Sequence, residues 1–378
     1  MLDEHRLYLS DLHRTSLFRQ AISVVVRPGD IVLDLACGTG VLGLLAMKAG
    51  AAKVYQVDQT PMIQVARDVA AANGYGQSTF GIHENSGHAK LPEKADVVVA
   101  DQLSHFGIGA GMPEIFNDAR RRLLKPGARA IPRRLELFLA PVNFPEMWRI
   151  AGFWNQRHAG LTMSPARSIA FNIVYPSEKS PRRMLGRPVH LVTFDLTDLT
   201  PERFTAKAEI RVSTAGVMHG LSGWFDAELA PGIMMTNSPF SKSRIKRPAV
   251  FFPIEKPVML KKGEILNITM TAITAQNLIS WKFAVLDTKS RARAQFAHST
   301  LKGMVLMRDE LAKTRPDFVP RLSDWGLARR SAVNLADGAR TLAEIEREMV
   351  RIHSALFPSL AEASEFVAKL LLPDALGD

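Results

Sequence analysis

The feature that most limits how this chain can fold is the stretch Ile31–Gly40, which reads I-V-L-D-L-A-C-G-T-G. Its apolar run Ile31–Leu35, interrupted only by Asp34, predicts a central strand of a parallel sheet. Gly38 and Gly40 follow at once, and because they carry no Cβ the backbone can turn sharply and approach a ligand closely. A strand, a glycine-rich turn and a helix in this order indicate an α/β domain with a nucleotide-like ligand.

A second acidic residue indicates what kind of ligand the turn holds. The next predicted strand, Lys53–Asp58, ends in a carboxylate, which is where a βαβ site holds the hydroxyls of a ribose. We take the glycine pattern as G-T-G, without the third glycine of the dinucleotide fingerprint, and this favours a nucleoside without a pyrophosphate over NAD. The expected cofactor is S-adenosylmethionine. The residues expected at it from this pattern are Asp34, Gly38, Thr39, Gly40, Asp58 and Gln59.

The length of 378 residues and the apolar content of 47% predict a globular protein with two or three domains. Alternating strands and helices predict a Rossmann-like, S-adenosylmethionine-binding domain over residues 1–134. From there the pattern changes to short alternating runs separated by turn residues. This predicts an antiparallel β-barrel substrate domain over residues 135–307.

Two further segments differ from their surroundings in residue pattern. The segment 148–175, inside the second domain, carries Trp and Met side chains of the kind that pack on another surface. At the C-terminal end, the segment 308–378 contains two capping boxes, Thr341–Glu344 and Ser359–Glu362, each of which marks the start of a helix. We therefore expect a small helical appendage after the barrel.

The charge balance and the cysteine count restrict the partners. A net charge of +11 favours an acidic partner. The basic clusters are short and lack the interleaved aromatic residues that stack on bases, so nucleic-acid binding is kept only as an alternative. The single Cys37 excludes an intramolecular disulfide framework, and no spacing of metal ligands predicts a metal. Without a membrane-spanning run or a signal-peptide pattern, the expected compartment is the cytoplasm.

Taken together, these motifs resemble the protein arginine methyltransferases, a family of class I S-adenosylmethionine-dependent methyltransferases. The resemblance covers roughly residues 7–300. It is carried by Asp11 and Arg14-Thr15 in a predicted helix Leu7–Ile22, by Val32–Leu42, by Ala49–Asp58, by Lys125–Pro132, by Phe153-Trp-Asn155 and by Gly223-Trp-Phe-Asp226. It implies a Rossmann-like domain followed by a β-barrel, with a dimerisation arm at 148–175 and hence a homodimer.

The resemblance also implies roles for individual residues on the cofactor side. Arg14 would pair with the methionine carboxylate of the cofactor through charge-assisted hydrogen bonds. Asp58 would hold the ribose hydroxyls, one carbon shorter than the family's usual Glu. Ser86 takes the place of the acid that binds the adenine, with Glu84 close by.

The substrate side departs from the family's pattern. Asp101 takes the place of the first of two glutamates in the family's arginine pocket, whereas the second place falls on Ala110. The family's Thr-His-Trp loop is absent near Ser243–Lys246. Because a guanidinium requires paired carboxylates, this departure favours another acceptor. We expect Asp101 and His105 to be catalytic, with His105 as a base that Asp101 orients.

The main hypothesis is a methyltransferase that acts on a peptide or protein side chain, by N-methylation and not necessarily of arginine. Three alternatives stay open. The first is a genuine arginine methyltransferase with a rearranged pocket, using Asp101 with Glu114 as a further acid. The second is a scaffold that binds the cofactor without catalysis. The third, suggested by the net positive charge, is an RNA methyltransferase.

Overall fold

The computed structural model describes residues 2–109, 111–372 and 375. Two compact units make up the chain, Met1–Val305 and Leu306–Asp378. No helix in the described ranges combines the length and the apolar content needed to cross a lipid bilayer.

The N-terminal part of the first unit is a five-stranded parallel sheet with its helices. In chain order its elements are α1 Leu2–Ser10, α2 Leu12–Val25, β1 Ile31–Leu35, α3 Val41–Lys48, β2 Lys53–Asp58, α4 Met62–Ala72, β3 Thr79–His83, β4 Ala95–Val99, α5 Met112–Arg122 and β5 Leu124–Ile131. The strand order is β3-β2-β1-β4-β5, and every pairing is parallel. The predicted Rossmann-like domain is confirmed.

The position of β1 follows from its sequence. All five of its residues are buried, as a continuous apolar run in the middle of a covered sheet requires. The chain adds β2 and β3 on one side of β1 and then returns to place β4 on the other side. The strand order therefore reverses between β1 and β4, and ligands of open α/β sheets bind outside the carboxyl ends of the strands at such a point.

The helix expected over Leu7–Ile22 is two helices in the structure. The chain breaks at Asp11, whose side chain accepts a hydrogen bond from the backbone amide of Arg14 at 3.2 Å and so caps α2. The break allows α1 to leave the line of α2, which places Tyr8 near the carboxyl ends of the strands.

The rest of the first unit is antiparallel, as predicted. In chain order its elements are β6 Arg134–Asn143, α6 Pro145–Ala151, β7 Arg157–His158, β8 Leu161–Thr162, α7 Arg167–Ala170, β9 Tyr175–Ser177, β10 Arg183–Met184, β11 Val189–Asp195, β12 Arg203–Arg211, β13 Gly216–Ala230, β14 Ile233–Thr236, β15 Ala249–Leu260, β16 Ile265–Ile273, β17 Leu278–Leu286 and β18 Ala292–Ser299. One sheet has the order β10-β6-β13-β15-β9, with β11 paired to β6 and β14 to β13; a second has the order β12-β16-β17-β18.

The two antiparallel sheets adjoin where β11 lies beside β12 and where β15 lies beside β18. Their inner faces belong to the same hydrophobic core as the parallel sheet, with Phe106, Leu137 and Phe252 linking one part to the other. This shared core keeps the parallel and antiparallel parts in one compact unit. The predicted boundary at residue 134 and the closed shape of a barrel stay predictions.

The segment predicted to be a dimerisation arm contains α6, α7 and the short β7–β8 hairpin. Several of its apolar side chains are open to solvent, with exposed fractions of 52% for Ile150, 47% for Phe153 and 63% for Leu161. Exposed apolar side chains grouped in one segment indicate a surface that packs on a partner.

The second unit is helical, with α8 Arg308–Lys313, α9 Asp324–Leu335, α10 Leu342–Ile352 and α11 Leu360–Leu371. Both predicted capping boxes are confirmed, and each cap and its glutamate exchange hydrogen bonds at the start of α10 and of α11. A small core of its own holds α9, α10 and α11 together, centred on Met349, Phe357 and Val367.

Candidate active site

A cavity of about 1740 Å³ lies at the carboxyl ends of the parallel strands, at the point where the strand order reverses. Most of the residues predicted from the sequence line it, namely Arg14, Asp34, Gly38, Thr39, Asp58, Gln59, Ser86, Asp101 and His105. Gly40 lies behind this surface, where its carbonyl oxygen accepts a hydrogen bond from Gln56 Nε2 at 3.0 Å. No three His, Cys, Asp or Glu side chains of the described part of the chain are grouped as metal ligands.

The glycine turn has the backbone that its sequence requires. Gly38 and Gly40 have φ values of +55° and +75°, in the left-handed region that favours glycine. A Cβ on Gly40 would lie 2.3 Å from Gln56 Nε2, and one on Gly38 would lie 2.4 Å from the ring of His5. His5 belongs to α1, so this helix lies over the turn.

A third glycine was overlooked in the sequence. Gly43 stands three residues after Gly40 and completes the spacing G-x-G-x-x-G, so the argument from a missing third glycine was wrong. The Gly43 amide donates to Asp34 Oδ2 at 2.7 Å, and a Cβ there would lie 2.8 Å from Val54. The glycine therefore lets α3 pack closely against the sheet. This spacing by itself does not separate a nucleoside from a dinucleotide.

Asp58, at the tip of β2, holds the turn in place. Its Oδ2 accepts the Gly38 amide at 2.8 Å, and its Oδ1 accepts the amide and the hydroxyl of Thr60 at 2.8 and 2.6 Å. A carboxylate oxygen has two lone pairs, so Oδ2 keeps one acceptor site. Asp58 lines the cavity, where a ribose hydroxyl can donate to its carboxylate. This contact with Thr60 was not predicted from the sequence.

Asp34 lies beneath the turn and is completely buried. Burial raises its pKa to about 7, even though the hydrogen bond from Gly43 acts in the opposite direction; the nearby Asp58 raises it further. No residue described in the structure donates a hydrogen bond to its Oδ1. A carboxyl that is partly protonated at neutral pH can donate as well as accept a hydrogen bond at this position.

Gln59 and Ser86 lie on the side of the cavity expected for the adenine. Gln59 Oε1 accepts a hydrogen bond from Asn85 Nδ2 at 2.7 Å, and the Ser86 carbonyl accepts one from Arg122 at 2.8 Å. The first bond holds the loop after β3 next to the tip of β2, and the second joins the same loop to the end of α5. Glu84 also lines the cavity, so the loop presents one carboxylate there.

Asp101, which follows β4, is bound by two arginines. Arg247, just before β15, donates from Nη1 to Oδ1 and from Nη2 to Oδ2, each at 3.0 Å. Arg14 of α2 donates from Nε to Oδ2 and forms an ion pair through Nη2. The three side chains are only 7–8% exposed. Burial opposes ionisation of Asp101, but Arg247 and Arg14 hold its pKa below the usual range.

Sequence reasoning missed Arg247. Residues 242–247 were counted among the short basic clusters, and only the absence of the Thr-His-Trp loop was noted near them. One signal was available in the sequence: Arg247 follows the residues at which the resemblance implies the Thr-His-Trp loop of the substrate pocket. A lone arginine in a basic run is normally solvated, so this signal was weak.

His105 lies in the same loop as Asp101, but the two side chains are not joined. No hydrogen bond between the His105 ring and Asp101 occurs, and both Asp101 oxygens are taken by arginines. Burial and the charge of Arg247 lower the pKa of His105. A hydrogen bond with the Pro248 backbone acts in the opposite direction but does not outweigh them. The ring is therefore neutral near pH 7 and has a free lone pair.

Glu114, in the first turn of α5, lines the same cavity. Its Oε1 accepts a hydrogen bond from the hydroxyl of Thr274. Its Oε2 is buried, and none of the described residues donates to it. Ala110, where the second family acid was expected, lies outside the described residues. Glu114 is thus a carboxylate that lines this cavity and has one buried oxygen without a donor among the described residues.

Two family models match consecutive parts of the chain. The model described as "Ribosomal protein L11 methyltransferase (PrmA)" matches residues 12–131, and "Arginine methyltransferase oligomerization subdomain" matches residues 133–283. The first match covers the parallel sheet, and the second covers most of the antiparallel strands with the arm.

Named relatives agree with these models. The chain is 28% identical over 238 residues to the Arabidopsis thaliana "Probable protein arginine N-methyltransferase 6", with 60% of this chain and 54% of the relative covered. It is 28% identical over 253 residues to Xenopus laevis "Protein arginine N-methyltransferase 6", with 63% and 74% covered. It is 26% identical over 276 residues to Dictyostelium discoideum "Protein arginine N-methyltransferase 1", with 70% and 80% covered. The chain thus spans about half of the length of the first relative, 74% of the second and 80% of the third.

Two solved structures have the same fold. One is titled "Trypanosoma brucei PRMT1 enzyme-prozyme heterotetrameric complex with AdoHcy"; its TM-score is 0.69 at 22% identity, with 78% of this chain and 97% of that chain covered. The other is an open conformation of Arabidopsis thaliana protein arginine methyltransferase 10, with a TM-score of 0.68 at 20% identity and 79% and 98% covered. At these identities the likeness establishes the fold alone.

Proposed function

The chain belongs to the protein arginine methyltransferase-like family of S-adenosylmethionine-dependent methyltransferases, and on that basis we propose that it methylates a side-chain nitrogen of a peptide or protein. The observation that carries the proposal is the glycine turn under α1, which Asp58 holds by accepting the Gly38 amide at 2.8 Å. The turn, the carboxylate at the tip of β2 and the cavity above them fit a nucleoside with a charged amino-acid tail.

Asp58 and Arg14 would bind different parts of the cofactor. The free lone pair of Asp58 Oδ2 would accept a ribose hydroxyl. Arg14 uses Nε and Nη2 on Asp101, while its Nη1 makes only a long contact of 3.4 Å with the Tyr8 carbonyl. Nη1 is therefore the donor that would bind the methionine carboxylate. When bound, S-adenosylmethionine supplies an electrophilic methyl group on a positively charged sulfur.

The contribution of the chain to the reaction is positioning and proton transfer. Methyl transfer requires the acceptor nitrogen in line with the sulfur–methyl bond, so most of the acceleration comes from orientation. The His105 ring is neutral, Glu114 Oε2 has no donor among the described residues, and both side chains line the cavity. Either can take the proton that the acceptor loses. Asp101 acts as a positioning residue that holds Arg14, because its oxygens are already occupied.

Calorimetry and mass spectrometry together test this proposal. The purified chain should bind S-adenosylhomocysteine and transfer label from S-adenosylmethionine to peptides, and Asp58→Ala should weaken binding by about tenfold or more. Asp68→Ala is the matched control, because Asp68 is an exposed acid on α4. Absence of affinity for both the cofactor and its product would overturn the proposal. Binding without turnover on any peptide would support the scaffold alternative.

We further propose a homodimer in the cytoplasm, with the two antiparallel sheets acting as one barrel-like substrate domain. The exposed apolar residues of the arm support the dimer, and the matched oligomerization subdomain includes this arm. The structural neighbour from Trypanosoma brucei is, by its title, a heterotetrameric complex. Light scattering should give twice the mass of 41.7 kDa.

A second candidate function is N-methylation of arginine. The names of the relatives suggest it. Because two arginines already bind Asp101, Glu114 would provide the carboxylate for a guanidinium, and its Oε2 has no donor among the described residues. Labelling of arginine peptides above all other peptides would favour this candidate.

A further inference from the structure

We infer that Arg247 determines the acceptor class of this site: its guanidinium fills the place against Asp101 that a cationic acceptor would need, so the acceptor is an uncharged nitrogen. The inference rests on the proposed methyl transfer and extends it to the substrate. It concerns the loop after β4, which lines the cavity beside the glycine turn.

The geometry at Asp101 leaves no room for a two-pronged contact with a substrate guanidinium. Arg247 approaches Asp101 with two parallel hydrogen bonds of 3.0 Å, one to each oxygen, which is the arrangement that a substrate arginine would itself adopt. Arg14 takes a further acceptor site on Oδ2. A third guanidinium could reach at most the remaining lone pair of Oδ1, and the two-pronged contact is excluded.

Arg247 is held in this position from several sides. The Tyr8 ring of α1 lies 5.7 Å from its Cζ and 5.5 Å from that of Arg14, so one aromatic face covers both cations. The preceding amide, of Lys246, donates to Asp11 Oδ2 at 2.7 Å. Because the segment is anchored to the start of α2, Arg247 belongs to the built site and is not a mobile surface side chain.

The charges in the cluster oppose a cationic acceptor as well. Two arginines face one carboxylate, so the cluster carries a net positive charge. A guanidinium or ammonium that displaced Arg247 would leave that buried side chain without its partner, which is strongly unfavourable. A neutral acceptor meets neither obstacle.

Among uncharged side chains, the imidazole of histidine has an in-plane lone pair available at neutral pH. That lone pair would form the new bond to the methyl carbon, while the electrons of the carbon–sulfur bond return to sulfur and give the neutral thioether. The methylated ring would then lose its N–H proton to His105, Glu114 or water. Charge and atoms balance without a further reactant.

The test compares wild type with Arg247→Gln on peptides that are identical except for one acceptor, His, Asn, Lys or Arg. We expect wild type to label the His peptide about tenfold or more above the Arg peptide, and Arg247→Gln to raise labelling of the Arg peptide about tenfold. Lys242→Gln, at an exposed basic residue of the same segment outside the cavity, should leave the preference unchanged. Arg247→Lys, which keeps the charge without the fork, provides a second variant if the glutamine variant fails to fold.

Preferential labelling of arginine by wild type, or an unchanged preference in the Arg247 variants, would overturn the inference. If no peptide is labelled, titration of the Arg peptide into the S-adenosylhomocysteine complex is the readout. Tighter binding by the Arg247 variant then supports the inference, and equal affinities overturn it. Failure of wild type to bind S-adenosylhomocysteine at all would instead refute the proposed function.

Discussion

Arg247 binds both oxygens of Asp101, at 3.0 Å each, across a separation of 146 residues in the sequence. The pair joins the segment before β15 to the end of β4, so the antiparallel part of the unit contributes directly to the cavity of the parallel sheet. Arg14 adds a third contact from α2. The conformation of the cavity wall around Asp101 therefore depends on three stretches that are distant in the chain.

Asp101→Asn should destabilise the protein more than Arg247→Gln does. The first change leaves two buried arginines without a negative partner, which costs about 3–5 kcal/mol. The second leaves the Arg14–Asp101 pair intact, so it should cost less. Urea denaturation measures both values, and the double variant should cost less than the sum of the two single changes. Equal stabilities of wild type and Asp101→Asn would contradict this interpretation.

Asp34 should make stability depend on pH. Its pKa is raised by burial from 3.8 to about 7, so the folded state binds a proton that the unfolded state has released over this range. The stabilisation of the folded state by this proton is fully present below about pH 4 and is lost as the pH rises to about 7. Asp34→Asn imitates the neutral carboxyl, so the stability of this variant should decline less as the pH rises. The urea midpoint, measured between pH 4.5 and 7, reports this decline. A steeper decline in the variant would argue against a raised pKa.

Gly43→Ala should destabilise the protein although alanine is the better helix former. The new Cβ would lie 2.8 Å from Val54 and 3.0 Å from Asp34, which requires α3 to move away from the sheet. Overpacking of this kind costs roughly 1–3 kcal/mol. Gly76→Ala is the control, since a Cβ there meets only Ala71 at 3.4 Å or more. Thermal unfolding should separate the two variants, and equal melting temperatures would refute the role of Gly43.

Charged substitutions in the arm should produce a monomer. Phe153→Asp together with Leu161→Asp places two carboxylates on the exposed apolar surface, and the dimer should weaken by about tenfold or more. Val24→Asp, at an equally exposed apolar residue of α2, is the matched control. Light scattering over a concentration series measures the effect. A dimer that persists in the double variant but dissociates in the control would place the interface elsewhere.

His105→Gln tests the proton acceptor. If His105 takes the proton, turnover should fall about a hundredfold. The affinity for S-adenosylhomocysteine should be unchanged, because His105 lies on the acceptor side of the cavity. Its pKa is lowered by burial and Arg247, so wild-type turnover should persist below the pH at which a free histidine becomes protonated. A comparable loss in Glu114→Gln with none in His105→Gln would assign the proton to Glu114.

Features governed by neighbours in the sequence were predicted well. The buried strand at Ile31–Leu35, both capping boxes and the change to alternating strands after residue 134 all occur in the structure. In each case the deciding interactions lie within a few residues, because hydrophobic periodicity and caps are local properties. Gly43 was equally visible in the sequence and was overlooked.

Partners of buried charges could not be predicted in the same way. The sequence placed Asp101 beside His105, four residues away, whereas the structure pairs it with Arg14 and Arg247, 87 and 146 residues away. Desolvation makes an unpaired charge costly, so the nearest cation in space binds the carboxylate whatever its place in the chain.

The amino-acid sequence alone was sufficient to predict the α/β sheet, the glycine turn with Asp58 at the neighbouring strand tip, and the antiparallel strands. These depend on short-range patterns of polarity and backbone freedom. Three features became visible only in the folded chain. They are the binding of Asp101 by Arg247, the position of α1 over the glycine turn, and the buried Glu114 oxygen without a donor among the described residues. They depend on which side chains meet after burial, and electrostatic interactions between buried groups are set by distance in space and not by distance along the chain.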